Sequence, residues 1–267
     1  MVSCCFIKTL PTMGQSGQRR ATILTLLTEH SSVQVSDLVK QLKVSAVTIR
    51  SDLTALEAQG LAIRSHGGAM LARMPPTEHT VSQKDALNHD QKERIGALAA
   101  SLVRPGENII IDSGTTTLSL ARHLREAHNV TVMTNGLNIA WELANAPGVD
   151  LILTGGLLRK ESLSIQGLQA EACLHAYSFD KLFLGVDGFD LQFGLTTHHE
   201  AEASLNHKMV ERARKVIVLA DSSKFGFISL HRIVQLDRID TLITDANISA
   251  QYRNGLRDAG IEVLIAD

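Results

Sequence analysis

Two rhythms of apolar residues divide the chain. Up to about residue 60 they recur every three or four positions, the spacing of one helix face. From Asn108 onward they come in continuous runs, the spacing of strands buried on both sides. The stretch Val44–Gly60 sets the first rhythm. Ile49, Leu53 and Leu56 share one helix face, Ser45 stands at the N-cap and Gly60 stops the helix. A rotation of about 100° per residue puts Val47, Arg50, Ser51 and Thr54 on the opposite face, with Thr48 on its flank. That face is small, hydroxyl-rich and carries one cation, where an ordinary surface helix shows Glu and Lys. Short hydrogen-bonding side chains and an Arg suit a DNA major groove.

The neighbouring segments extend the pattern. Val35–Leu42 is predicted as a short helix capped by Ser36, with Leu38, Val39 and Leu42 inward, and Lys43-Val44-Ser45 as the tight turn into the next helix. A third helix, Gln18–His30, precedes them with Ile23, Leu24, Leu26 and Leu27 inward. After Gly60 two short apolar runs flank the turn His66-Gly67-Gly68, so residues 17–73 read as a winged helix–turn–helix. Arg64 and His66 stand where a wing meets the DNA backbone or minor groove. Arg20 on the first helix and Ser45 join the candidate DNA-contacting set.

The competing reading is a small three-helix module for protein contacts. Charge separates the two. Residues 17–73 carry seven Lys or Arg against four Asp or Glu, a net of +3, and residues 74–267 carry eighteen against twenty-four, a net of −6. A basic head on an acidic body presents one face to phosphate.

The remaining composition narrows the classes. The 267 residues are 44% apolar with a net charge of −2, enough for two domains and too little positive charge for a chain that binds nucleic acid all over. Aromatics at 4% argue against single-strand stacking surfaces. No apolar run reaches bilayer length, so no membrane partner is expected. Residues 1–16 read as a disordered extension without a signal peptide, and Met13 is a candidate start. Outside that extension Cys173 stands alone, which excludes a disulfide framework and fits a reducing cytoplasm.

Met74-Pro75-Pro76-Thr77 opens a linker over residues 74–82, and a helix is predicted over Gln83–Val103. Strands are predicted at 108–112, 130–134, 150–154, 181–187, 215–221, 240–244 and 262–266, with helices near 115–126, 136–146, 200–213 and 249–259. That alternation over residues 83–267 is an α/β domain, a doubly wound, mostly parallel sheet.

Ligands of such sheets sit outside the carboxyl ends of the strands. The first end is Asp112-Ser113-Gly114-Thr115-Thr116-Thr117: glycine admits close backbone approach, and hydroxyls and a helix N-terminus favour an anion. No Gly-Lys-Ser/Thr and no G-x-G-x-x-G is present there, so a phosphate monoester fits better than a dinucleotide and no cofactor is expected. Thr134-Asn135-Gly136, Thr154-Gly155-Gly156, Gly185-Val186-Asp187-Gly188 and Asp221-Ser222-Ser223-Lys224 end four further strands. Together they would offer a sugar hydroxyls, amides and carboxylates, and its phosphate a Lys. Singly, each is an ordinary turn or cap.

Taken together, T-I-R-S-D-L, H-G-G, D-S-G-T-T-T, M-T-N-G, T-G-G, G-V-D-G and D-S-S-K-F resemble the DeoR family of bacterial transcriptional regulators over roughly residues 18 to 265. The resemblance implies a repressor of a sugar or amino-sugar utilisation operon, acting on double-stranded operator DNA as a homodimer or homotetramer. It implies a sensor domain similar to ribose-5-phosphate isomerase and glucosamine-6-phosphate deaminase, holding a phosphorylated sugar effector. Thr48, Arg50 and Ser51 match the DNA-reading helix. Asp112 to Thr117, Asn135, Gly155, Gly156, Asp187, Glu202 and Lys224 match the effector pocket, to which Thr134 is added as their neighbour.

The alternative is a sugar-phosphate isomerase or deaminase with a DNA-binding appendage, drawing on Asp187, Asp190, Glu200, Glu202 and His198-His199 for proton transfer. The isomerases carry a Lys-Gly-Gly-Gly segment after their G-x-D turn. This chain has Phe193-Gly194-Leu195-Thr196-Thr197 there, so no catalytic residue is assigned. Adjacent His198 and His199 point apart and His207 completes no ligand spacing, so no metal is expected.

Overall fold

The computed structural model describes residues 15–30, 32–58, 62–65, 67–71 and 80–267, which fall in two compact units dividing between residues 76 and 77. Gly60, His66, the proline pair and residues 1–14 lie outside the described residues, as does the side chain of Arg64, while residues 15 and 16 of the expected extension already belong to the first helix.

In the first unit α1 (Gln15–His30), β1 (Ser32–Gln34), α2 (Val35–Leu42) and α3 (Ala46–Ala58) precede the hairpin β2 (Ala62–Ser65) and β3 (Gly68–Leu71). Ile23 and Leu27 of α1, Leu38 of α2 and Ile49, Leu53 and Leu56 of α3 form its core, as their spacing requires. Each such side chain contributes roughly 1.5–3 kcal/mol by burial. Lys43 adopts the left-handed conformation (φ 52°) and ends α2. Ser45 caps α3, its Oγ accepting from the Thr48 N–H at 3.2 Å. The cap expected at Ser36 is not formed. Gln34 is the N-cap of α2 and gives no side-chain bond, Ser36 lies inside the first turn, and the Val35 N–H donates to the Gly67 carbonyl of the hairpin turn at 2.8 Å. β1 pairs with β3, a three-residue strand that the sequence pattern does not show.

The second unit opens with α4 (Val81–Ala86) and α5 (His89–Ser101) in place of one helix over 83–103. Thr80 closes a capping box with Gln83, so helix begins inside the stretch read as linker. Asn88 at φ 53° breaks the run, and its amide donates to Asp221 Oδ1 at 3.0 Å. There follow β4 (Asn108–Ile111), α6 (Thr115–His123), β5 (Val130–Thr134), α7 (Leu137–Leu143) and β6 (Val149–Leu153). The hairpin β7 (Leu157–Arg159) and β8 (Ser164–Gln166) leads to α8 (Leu168–Leu174), β9 (Phe179–Gly185), β10 (Gly188–Asp190) and β11 (Gly194–Thr197). Last come α9 (Glu200–Arg212), β12 (Ala213–Leu219), β13 (His231–Val234), β14 (Thr241–Asp245), α10 (Ala250–Asp258) and β15 (Glu262–Ala266).

All seven predicted strands join one sheet in the order β15-β14-β12-β9-β4-β5-β6, every pair parallel. Alternate residues serve opposite faces: Ile109, Ile111 and Phe183 enter one core, Ile110, Leu182 and Leu184 the other. Three elements were not expected: the β7–β8 hairpin, α8 and a small antiparallel sheet β10-β11-β13. No helix among the described residues is long and apolar enough to cross a membrane.

Candidate functional site

On α3 the side chains opposite the core stand outward. Val47 is 72% exposed, Arg50, Ser51 and Thr54 are exposed, and Thr48 is half-buried. Ser45 Oγ and Thr48 Oγ1 lie 2.9 Å apart, and Thr54 Oγ1 donates to the Arg50 carbonyl at 2.9 Å. An apolar Val among hydroxyls and one Arg can meet a thymine methyl and a guanine or phosphate. Arg20 is placed differently from the others. With Arg19 it flanks the buried Asp52 of α3, at 3.6 Å from Oδ1, so its guanidinium fastens α1 to α3. Arg64 lies on β2, paired with Ala69.

In the second unit a cleft of about 630 Å³, part of it open to solvent, lies at the carboxyl ends of β4, β9 and β11. Asp112, Ser113, Gly114, Thr115, Thr116, Asp187, Glu202 and Lys224 line it, and so do Val81, Lys84, Ser162, Gly185, Val186, Thr197 and Asn206. Gly114 is the N-cap of α6 at φ 149°, with no side chain to close the first turn. The N–H groups that begin a helix are therefore turned toward the cleft without a side-chain cap, under the positive end of the helix dipole.

The remaining expected residues serve behind this wall. Asn135 Oδ1 accepts from the Ser113 N–H at 2.8 Å and fixes the loop. Thr134 Oγ1 accepts from the Gly136 N–H at 3.0 Å and braces the turn that leads into α7. Thr117 is fully buried beneath Gly114, where a Cβ on that glycine would stand 3.1 Å from its Oγ1. Gly155 and Gly156 do not line the cleft. Their positive φ of 69° and 118° turns the chain from β6 into β7.

The carboxylates lie in a connected hydrogen-bond lattice. Glu202 accepts from Ser162 Oγ at 2.5 Å and Ser164 Oγ at 2.6 Å, with Arg159 Nη1 at 3.7 Å. Asp187 accepts from Lys84 Nζ at 2.8 Å and Thr197 Oγ1 at 2.9 Å. Asp112 Oδ2 lies 3.3 Å from the Gly185 N–H and 3.5 Å from Asn206 Nδ2. Burial, reinforced by the Glu202 carboxylate, pushes Asp112 well above the ordinary range despite the N–H groups around it. Burial would raise Asp187 as well, but Lys84 and Lys224 beside it more than offset that and hold it at about 2.

Lys84, Ser162 and Asn206 carried no sequence signal of their own. They reach the cleft from α4, from the loop before β8 and from the middle of α9. Among the described residues no three His, Cys, Asp or Glu side chains cluster as a metal would require. His199 is the N-cap of α9, and His198 stands beside the Phe227 ring.

Comparison with known proteins identifies the family of both units. Residues 19–74 match the DeoR-like helix-turn-helix domain and residues 87–246 the DeoR C terminal sensor domain. Over 252 residues the chain is 48% identical to the putative aga operon transcriptional repressor of Escherichia coli O157:H7, covering 94% of each. Over 250 residues it is 35% identical to the HTH-type transcriptional repressor GlcR of Bacillus subtilis, covering 94% of this chain and 96% of that one. The ribose 5-phosphate isomerase A of Methanocaldococcus jannaschii overlays 52% of this chain and 55% of its own with a TM-score of 0.40 and 19% identity, a likeness that says nothing of activity. The chain belongs to the DeoR family of transcriptional regulators.

Proposed function

We propose that the chain is a DNA-binding repressor of a sugar or amino-sugar utilisation operon, controlled by a phosphorylated sugar held in the cleft of the second unit. The operator is double-stranded DNA read in the major groove by Val47, Thr48, Arg50, Ser51 and Thr54. Two such heads are needed for symmetric half-sites, so the working form is at least a dimer. The names of its relatives, an aga operon repressor and GlcR, support the class of operon.

One observation carries the effector reading: the uncapped N-terminus of α6 faces the same cleft as the ammonium groups of Lys84 and Lys224, and a lattice of carboxylates and hydroxyls completes it. The first two fit a phosphate dianion and the third fits the hydroxyls of a sugar. Occupancy alters operator affinity only as far as the effector prefers one state of the protein.

Binding without turnover is the companion reading. By the sequence resemblance, Phe193–Thr197 stands where those isomerases carry Lys-Gly-Gly-Gly, and its residues Gly194–Thr197 form β11, which pairs with β10 and β13. Incubating the protein with sugar phosphates and assaying isomerised or deaminated product separates the two readings, and steady turnover would establish the enzyme. The effector itself is sought by screening sugar phosphates for a rise in Tm of the full chain. Thr115→Glu puts a carboxylate at the expected phosphate position. It should abolish both that rise and the effector's influence on operator binding while DNA binding persists. A variant that still responds normally would move the phosphate elsewhere.

A further inference from the structure

α4 is the first helix or strand described in the second unit, and it forms part of the cleft wall. Its N-cap Thr80 lies close behind Thr77, where that unit begins, so in chain order α4 follows directly on the segment that comes from the DNA-binding unit. Val81 and Lys84 are its contributions to the cleft. The loop of the β7–β8 hairpin adjoins it: the Glu161 carbonyl accepts from the Val81 N–H at 3.0 Å, and Ser162, next in sequence, also lines the cleft.

A helix of six residues is too short to hold itself together in water, and none of the side chains of α4 is buried. What keeps it in place is polar. Lys84 Nζ donates to Asp187 Oδ1 at 2.8 Å, the buried Lys92 ammonium donates to the Lys84 carbonyl, and Asp85 Oδ2 lies 3.5 Å from Arg122 Nη2. Beyond α4 the left-handed Asn88 forms a joint at φ 53°, its amide bonded to Asp221 Oδ1 at 3.0 Å. A segment with little apolar burial and partly exposed hydrogen bonds belongs to the low-stability end of a fold. Lys84 is where it meets the charges of the cleft. An ammonium has three N–H donors. One is used on Asp187, and a phosphate held by the first turn of α6 and Lys224 can take another. A ligand bonded to both α6 and Lys84 ties α4 to the body of the unit more firmly than Asp187 alone does. It thereby prefers one position of α4, which is what a shift between two states requires.

We propose that α4 is the element through which the occupied cleft acts on the DNA-binding unit: a bound phosphate fastens it through Lys84, and the fastening is passed along the chain. The proposal rests on reading the cleft as the effector site and deepens it by naming the part that reports occupancy. Coupling between two sites is reciprocal, so operator DNA must act on α4 in its turn. For a repressor relieved by its sugar, DNA loosens what phosphate fastens.

Hydrogen–deuterium exchange of the full-length protein, read by mass spectrometry on peptides covering Val81–Leu87 and Thr115–Leu118, tests this. Inorganic phosphate is the probe and chloride at equal ionic strength the control. Phosphate at saturation should slow both segments, α4 by roughly tenfold, the effect of one added charge-assisted hydrogen bond. Operator DNA without phosphate should speed the exchange of α4. Lys84→Met should keep the slowing at α6 and lose it at α4. Slowing confined to α6 in the parent protein would overturn the inference and leave the effector site standing. So would an α4 that operator DNA leaves unchanged, or one that still slows in Lys84→Met. If that variant fails to fold, the two measurements on the parent still decide. No slowing at either segment would remove the cleft as a phosphate site, and the inference with it.

Discussion

Lys92 is a charge placed where folding alone would not put one. It is 4% exposed on α5, and its ammonium donates to the Lys84 carbonyl at the end of α4. Burial pulls its pKa from 10.5 down to about 8, against the attraction of Asp221 and Asp85. At ~1.36 kcal/mol per unit the displacement corresponds to at most about 3 kcal/mol of destabilisation, and water reaching the amine reduces it to roughly 2 kcal/mol. Lys92→Met removes that cost but leaves the Lys84 carbonyl short of a partner, worth about 1 kcal/mol. The variant should therefore be more stable than the parent at pH 7 by about 1 kcal/mol, a rise in Tm of roughly 2–4 °C for a unit of this size. The pH dependence is specific. Below the folded pKa of about 8 the amine is charged in both states and the advantage is full. Between about 8 and 10.5 the folded amine releases its proton before the unfolded one, so the parent gains stability and the advantage closes. Thermal or urea unfolding at pH 7, 9 and 10.5 reads this directly. A variant less stable than the parent at pH 7, or an advantage unchanged to pH 10.5, would refute the reasoning.

Three further outcomes are expected. Asp187, held at about 2 against an ordinary 3.8, contributes about 2 kcal/mol of stability that is fully present above pH 4 and is lost as pH falls through its folded value; Asp187→Asn should flatten that limb of the acid-unfolding curve. Gly96→Ala would bring a Cβ to 2.5 Å from the Ser119 carbonyl carbon and 2.6 Å from the Leu120 nitrogen, both main chain, so α5 and α6 must part at a cost of roughly 1–3 kcal/mol seen in the urea midpoint. Arg50→Ala should weaken operator binding by about 1–3 kcal/mol in a gel-shift titration while the Tm rise with a bound sugar phosphate persists; undiminished DNA affinity would remove Arg50 from the interface.

What was legible in the sequence was local. Runs such as Ile109-Ile110-Ile111 and Val216-Ile217-Val218 announce buried parallel strands because both of their faces must be apolar, and all seven took their places. Ser45 could be read as a cap because its partner is three residues away. Ser36 looked equally good and failed, because α2 already begins one residue earlier at Val35, whose N–H donates to Gly67 across the unit. The break at Asn88 was invisible for the same reason: its left-handed conformation accompanies a bond to Asp221, 133 residues on. Glycines after strands mislead in another way. Gly114 bares a helix end and Gly155 only turns the chain, yet both are small residues behind an apolar run. Lys84 could not be assigned, since nothing near it in sequence marks a partner at Asp187, 103 positions away.

The cleft contains one carboxyl pushed up and another pushed down, an arrangement often met where a proton is to be passed. Its hydrogen bonds favour the other reading. Glu202 is held by Ser162 and Ser164, Asp187 by Lys84 and Thr197, and Asp112 by the Gly185 N–H and Asn206. A general base needs a lone pair directed at the substrate's proton, and each of these carboxylates already spends part of its acceptor capacity on the protein. A sugar entering such a lattice exchanges hydroxyl for hydroxyl, so it can be selected by its pattern of donors without being offered a base. Burial favours the protonated form of Asp112, and in that form its carboxyl beside Asn206 can both give and take a hydrogen bond.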